Sequence, residues 1–458
     1  MSKTFSKIKQ NAYQRRLAVS LAGIKSGSRY AAGGVSTLFK HGDEKKAARN
    51  ALLAREAMRF VEEISRLKGA YVKIGQMLAI YGEHVLPPEL VAALKTLNDQ
   101  GSHVDWPVMS AAIEAELGER YADFDIEPKA IAAASLAQVY KATHIASGKT
   151  VALKIQYPGV ATSIESDFRD IVRLMELAKF IARDSSTGGV LSEVHSLLAA
   201  ETDYAREAQM TQKMTDLLAG DARYLIPAVH HNYTTPRLLV LDYVDGDKLD
   251  SPAVASLSQK QRNALAKSVL DLFFREVFDW RLMQTDPNFG NYMINITDNG
   301  PQLTLLDFGA VRELDADFAD AFAFTIAAAA EGDIEETIDG LDKLQCFKEN
   351  QSESAKESFA LFCLKLVEPF RHDDPSTPSY AINAHGEYRW AHANLVRRAA
   401  KLAATSALST DFAMPPKEFA LITRKLSGVF SAMSALNAEL NTRKLLQTHV
   451  QAWRDNSQ

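Results

Sequence analysis

The sequence predicts an α+β protein of two lobes, the second built largely from helices, and three observations carry that expectation. Apolar residues recur at three- and four-residue steps from Lys45 to Leu97, then alternate with a period of two from Ala130. After Val311 the helical period returns and runs to residue 450, interrupted around Arg371 to Tyr380 and Met414 to Pro416. Between the two regimes stands Gln284-Thr285-Asp286-Pro287-Asn288-Phe289-Gly290-Asn291, followed by Leu305-Leu306-Asp307-Phe308-Gly309. Val244-Asp245-Gly246 is the expected hinge between the lobes.

Composition narrows the class. With 458 residues, 47% hydrophobic and 24% charged, the chain has the make-up of a globular protein of roughly two to four domains. Cys346 and Cys363 have no CxxC or His partner at metal-ligand spacing, so neither a disulfide framework nor a zinc site is expected. No apolar run approaches the roughly 18 to 20 residues of a membrane span, so no transmembrane helix is expected and the location reads as cytoplasmic or peripheral to a membrane. The net charge of −5 hides an asymmetry: residues 1 to 50 hold 11 Lys or Arg against Asp43 and Glu44. A solvated tail, a basic amphipathic arm striped by Phe5, Ile8, Leu17, Leu21 and Ile24 that touches an anionic membrane or a partner, and a mitochondrial transit peptide all fit this stretch. Nucleic acid is not among the expected partners.

Along the chain, the helical region from Lys45 is broken by Pro87-Pro88 and contains Lys73-Ile74-Gly75-Gln76, locally a cationic helical turn weakened by its glycine. A linker and a helix from Pro107 to Leu117 follow. Ala137 to His144 and Thr150 to Gln156 read as strands joined by the turn Ala146-Ser147-Gly148-Lys149. Gly148-Lys149-Thr150 is not a phosphate-binding P-loop, because Thr143 occupies the required first glycine and a strand follows where the motif needs a helix. Val151-Ala152-Leu153-Lys154 reads instead as a strand whose lysine reaches nucleotide phosphates. Helices are expected from Ser163 to Arg183 and from Leu191 to Leu218, the second carrying Glu201-Thr202-Asp203-Tyr204-Ala205-Arg206-Glu207, a face able to supply the glutamate that orients such a lysine. Ala228 to Tyr233 and Arg237 to Tyr243 read as strands, and Asn263 to Leu282 as a helix leading into the acidic constellation.

In that constellation Asp286 and Asn291 are five apart and Asp307 lies sixteen further on, with short strands expected at Tyr292-Met293-Ile294 and Leu303-Thr304-Leu305-Leu306. This reproduces the spacing by which kinases place a catalytic carboxylate and two magnesium-holding groups around a triphosphate, and hard oxygen ligands suit a hard cation. Two features of ordinary protein kinases are missing. Ile131-Ala132-Ala133-Ala134-Ser135 stands where a glycine-rich loop belongs, and no Ala-Pro-Glu follows Asp307-Phe308-Gly309 to support a peptide-docking platform.

Lys73 to Gln76, the alanine stretch, Glu201 to Glu207, Gln284 to Asn291 and Asp307 to Gly309 together resemble the UbiB/AarF family of atypical kinases over roughly residues 45 to 440. Wording such as Lys154-Ile155-Gln156-Tyr157-Pro158-Gly159 looks closer to the mitochondrial members that support coenzyme Q biosynthesis than to bacterial members with a C-terminal membrane anchor. The resemblance implies a two-lobed protein-kinase-like fold with a helical extension over the cleft. Its implied segments are a basic arm (1–44), the extension (45–128), an N-lobe (129–243) and a helical C-lobe (244–458). It implies ATP and Mg2+ as ligands, with Lys154 paired to Glu207 on the phosphates, Asp286 as the catalytic carboxylate, and Asn291 and Asp307 on magnesium. Ala132, Ala133, Ala134 and Ser135 are the implied nucleotide loop, and the backbone from Asp242 to Val244 the implied adenine contact. Lys73 and Gln76 are implied to enter the site, with Lys73 facing Glu201 and Asp203, so that a protein substrate is kept from the γ-phosphate.

The reading that follows is an ATPase or small-molecule kinase supporting isoprenoid-quinone metabolism at a membrane surface, with quinone-pathway lipids and proteins as partners. A nucleotide-sensing scaffold or pseudokinase without useful turnover is the alternative. Keeping both metal ligands and the carboxylate favours the enzyme.

Overall fold

The computed structural model describes residues 42–67, 70–82, 85–97, 104–181, 185–371, 374–406 and 417–456. The basic stretch 1–41, with the stripe expected there, and the interruption expected at Met414 to Pro416 lie outside these residues. The chain divides into two compact units: everything up to Gln212 together with Ala228–Tyr243, and Lys213–Pro227 together with Val244 onward.

The first unit opens with helices α1 (Gly42–Leu67), α2 (Ala70–Tyr81), α3 (Pro88–Leu94) and α4 (Trp106–Leu117). Pro88 supplies the fixed φ of a first helical turn, and Leu90, Val91 and Leu94 turn inward. α2 is apolar on nearly every side, so it is buried on several faces, with Tyr71, Ile74 and Leu78 at 1% exposure or less. Gly75 gives the Leu97 side chain room there: a Cβ would meet the tip of Leu97, which would have to shift, so the glycine that weakens the helix lets the segment after α3 close on it. The sheet is an antiparallel meander with the order β1 (Phe124–Ala133), β2 (Ala137–His144), β3 (Lys149–Gln156) and β5 (Leu238–Asp242). The β2–β3 turn occupies residues 145–148, one residue earlier than expected, with Gly148 at φ 67°. Residues of α1 to α4, the sheet, α5 (Val160–Leu177) and α6 (Ser185–Glu201) share one core.

The structure departs from four further expectations. The sheet starts at Phe124 rather than Ala130, because Pro128 interrupts the alternation and the ladder absorbs it as a register shift between Ile126 and Ala130. β1 therefore runs to Ala133, so Ala132 and Ala133 pair with Val139 and Gln138 and are not free loop. The helix expected from Leu191 to Leu218 is two helices, α6 and α7 (Tyr204–Leu217), broken at Thr202-Asp203. Asp203 accepts the Arg206 N–H at 3.1 Å, the side-chain bond that starts a new helix. Ala228 to Tyr233 forms no strand beyond a single bridge from Val229 to Leu241.

In the second unit, β4 (Tyr224–Leu225) pairs in parallel with β9 (Gly300–Leu305), which pairs with β8 (Tyr292–Thr297), which pairs with β6 (Asp247–Lys248). A separate ladder joins β7 (Leu282–Gln284) to β10 (Val311–Glu313). Helix α8 (Gln259–Phe274) starts at a capping box of Ser258 and Gln261 and continues as a wider turn over Arg275–Asp279. Helices α9 (Ala316–Glu331), α10 (Ile334–Lys343), α11 (Glu353–Leu366), α12 (Leu395–Ser406), α13 (Lys417–Ala435) and α14 (Arg443–Asn456) complete it.

Candidate nucleotide and metal site

In the first unit, β3 presents Lys154, whose Nζ donates to both carboxylate oxygens of Glu207 at 2.7 and 2.9 Å. Glu207 is 2% exposed and lies in the first turn of α7, where a carboxylate is also favoured by the helix dipole. Two residues beyond Lys154, the Gln156 amide donates to the Thr202 carbonyl at 2.8 Å and to the Pro236 carbonyl at 3.3 Å. That anchor fixes the α6–α7 break to the sheet and thereby sets where Glu207 meets Lys154.

The same break separates the acidic residues into different roles. Glu201, the last residue of α6, takes Lys73 of α2 at 2.6 Å with both side chains about one-fifth exposed. Asp203 is exposed and caps α7. The Gln76 amide donates to the Leu97 carbonyl at 3.3 Å, within the helical extension.

The alanine segment is held down at its tip. Ala134 N–H bonds the Ala137 carbonyl at 2.8 Å, Tyr157 Oη donates to the Ala134 carbonyl at 3.0 Å, and Tyr157 N–H donates to the Leu136 carbonyl at 2.9 Å. Ser135 is 8% exposed. Three bonds and a Cβ at each position restrict the turn where glycines would loosen it. At the end of β5, the Asp242 carboxylate meets His230 Nε2 at 2.7 Å and Tyr243 N–H bonds the Thr150 carbonyl at 3.0 Å.

In the second unit, the β8–β9 register pairs Tyr292 with Leu305, so Asn291 and Asp307 emerge at the same end of one hairpin, joined by Leu306 N–H to the Asn291 carbonyl at 3.0 Å. Gln284 ties the two loops together: its amide donates to the Asp307 carbonyl at 2.5 Å, and its Oε1 accepts the Asp286 N–H at 2.9 Å. Asn291 Nδ2 donates to the Asp286 carbonyl and to Asp286 Oδ2, both at 3.2 Å. Gly309 N–H donates to Asp307 Oδ1 at 2.9 Å and closes the Asp-Phe-Gly turn.

Two cations from α13 that the sequence did not single out complete this set. Arg424 Nη2 donates to Asp286 Oδ1 at 2.9 Å. Lys425, 2% exposed, lies 2.8 Å from Glu276 Oε2, and Glu276 Oε1 also accepts the Gln284 N–H at 3.3 Å. Burial pushes the Glu276 carboxyl up, against the pull of Lys425. One turn further along α13, a Cβ on Gly428 would overlap Pro287, so only glycine lets this helix lie against the residue after Asp286. Nothing in the spelling of Arg424-Lys425 distinguishes it from other basic helix residues, and its partners Asp286 and Glu276 lie 138 and 149 residues away.

The donor set fits magnesium. Asn291 spends its amide nitrogen on Asp286, which leaves the carbonyl oxygen as its acceptor, and Asp307 adds a carboxylate held by its own turn. Magnesium takes one or two such protein oxygens and completes its shell with phosphate and water.

The profile of the ABC1 atypical kinase-like domain matches residues 96–340. A rat protein named atypical kinase COQ8B, mitochondrial, is 32% identical over 405 residues, covering 88% of this chain and 73% of its own length. The Saccharomyces cerevisiae protein named atypical kinase COQ8, mitochondrial, is 28% identical over 393 residues, covering 85% and 75%. A Mycobacterium tuberculosis protein solved in complex with erythromycin superposes with a TM-score of 0.59 at 20% identity, covering 88% of this chain and 97% of that one, which shows the fold alone. Among the described residues no helix is long and apolar enough to cross a membrane. The chain has a protein-kinase-like α+β fold and belongs to the ABC1 atypical kinase-like family, the UbiB/AarF group that its motifs resemble.

Proposed function

We propose that this protein is a Mg-ATP-dependent atypical kinase or ATPase serving isoprenoid-quinone metabolism at a membrane surface. The observation that carries the reading is the second-unit set, in which Asn291 and Arg424 orient the Asp286 carboxylate while Gln284 ties the Asp286 backbone to that of Asp307. Lys154, aligned by Glu207, takes the phosphates, with Ala132 and Ala133 at the end of β1 and Ala134 and Ser135 in the turn after it as the phosphate-covering segment, and the Asp242 to Val244 backbone toward the adenine. Asn291 and Asp307 would hold magnesium, which when bound would supply neutralisation of the charge on the phosphates. Asp286 positions the attacking oxygen and accepts its proton.

Lys73, Gln76, Glu201 and Asp203 form the regulatory element of this reading, and the extension (45–128) is the segment they fasten. Residues 1–44 add affinity for anionic lipid, and 129–243 and 244–458 act as the two catalytic lobes. A nucleotide-sensing scaffold is the second reading, favoured by one observation: the Arg424 guanidinium sits on the carboxylate that would act as base.

The test is turnover by Asp286→Asn. Phosphate release from Mg-ATP, with and without anionic liposomes and a phenolic quinone-precursor mimic, falls about a hundredfold or more, while Mg-ATP affinity stays within about threefold. Unchanged phosphate release in Asp286→Asn contradicts the catalytic assignment. Tight nucleotide binding by wild type with no release under any condition favours the scaffold.

A further inference from the structure

We propose that Tyr204 is a positioning residue for the phosphate-binding lysine, acting through the face of its ring. The inference rests on the assignment of Lys154 to the phosphates. Lys154 Nζ stands 4.9 Å from the Tyr204 ring centroid, within the range of a cation–π contact, while Glu207 takes the same ammonium from another position on the helix. Tyr204 is the first residue of α7 and Glu207 the fourth, so ring and carboxylate are one helical turn apart on one face.

The ring is built into the fold. Tyr204 is 2% exposed and packs with Ala137, Ala208, Leu239 and Leu241. Leu239 is the residue directly opposite Lys154 in the β3–β5 ladder, so the cluster beneath the ring is the face of the sheet from which the lysine rises. The Tyr204 N–H bonds the Pro236 carbonyl at 3.1 Å, and Gln156 anchors the neighbouring Thr202 carbonyl, so the helix start that carries the ring is fixed to the sheet at two points.

The chemistry gives the ring a role that a second carboxylate could not fill. An ammonium with a low-dielectric floor loses hydration, and the Glu207 carboxylate compensates part of it. A further acid would take up N–H donors and compete with an incoming phosphate. An aromatic face stabilises the cation electrostatically and accepts no conventional hydrogen bond, so it holds Nζ in place without diverting a donor from the anion. Sequence reasoning passed over Tyr204 because it read as one apolar residue inside a continuous helix from Leu191 to Leu218.

The test separates ring electrostatics from ring shape. Tyr204 is replaced by phenylalanine and by phenylalanines of increasing ring fluorination, which weaken the quadrupole while keeping nearly the same volume, and Tyr204→Leu is made alongside. Mg-ATP affinity and thermal midpoint are measured on the full-length chain. Tyr204→Phe is expected to stay within about twofold of wild type, and affinity to fall progressively with fluorination, reaching roughly three- to tenfold for the most fluorinated ring. Thermal midpoints across the fluorinated series should stay together. Affinity that is flat across the series overturns the inference alone, as does a Tyr204→Phe loss as large as that of the most fluorinated ring, which would assign the effect to the hydroxyl. Wild type without measurable Mg-ATP affinity overturns the functional reading, and this inference with it.

Discussion

The candidate residues of the first unit and those of the second are held in place on different principles. In the second unit, Asp286, Asn291, Asp307 and Gln284 fix one another across 2 to 23 residues of chain, mostly through backbone groups of adjoining turns. In the first unit, Lys154 and Glu207 come from a strand and a helix 53 residues apart, and Lys73 reaches Glu201 from another helix altogether. A site held by local turns keeps its geometry as long as the turns form. A site held by ion pairs across elements keeps it only while several packed elements keep theirs, and is the better place for control.

The largest expected effect breaks the one buried ion pair beneath the local set. Lys425→Met leaves the Glu276 carboxyl enclosed without its cation, and removing one member of a buried pair costs about 3–5 kcal/mol. Urea unfolding should show that loss. A Lys425→Met change below about 1 kcal/mol would mean that Glu276 is tolerated as a neutral acid, and the rigid half of the comparison would lose its foundation.

The smallest effect is expected at Lys73 and Glu201. Both side chains are about one-fifth exposed, so solvent screening holds their coupling to roughly 0.2–1 kcal/mol of stability. Their influence on access to the site should be larger than that. Lys73→Ala and Glu201→Gln are each expected to permit autophosphorylation or alter hydrolysis, and the double variant to add little, because both changes break one contact. Labelled-phosphate incorporation and release by the four proteins of the cycle measure it. Fully additive effects, or four proteins alike, would remove the regulatory assignment.

The same contrast explains how much could be read in advance. The second-unit site was legible because its residues are spelled consecutively and the β8–β9 hairpin between them is signalled by two apolar runs. Lys154 and the β2–β3 turn were legible for the same local reason. The break between Glu201 and Glu207 was not, because a single helical period runs through Thr202-Asp203 and the break is fixed by Gln156 from a distant strand. The strand character of Ala132 and Ala133 was hidden by Pro128, which masks the alternation without stopping the ladder. Arg424 and Lys425 carried no local signal, since an amphipathic basic helix is spelled the same way whether its cations face water or a catalytic loop.

One titration tests the proposed division of labour most directly: ATP into wild type, Lys154→Met and Asp307→Asn, each with magnesium and with chelator, followed by calorimetry. Wild type should bind more tightly with magnesium. If Asp307 serves as the proposed metal ligand, Asp307→Asn should match wild type in chelator and lose the magnesium increment, by about tenfold or more. Lys154→Met should weaken binding under both conditions. Unchanged Mg-ATP affinity in Asp307→Asn, or a Lys154→Met loss seen only when magnesium is present, would contradict the division of labour between the two units.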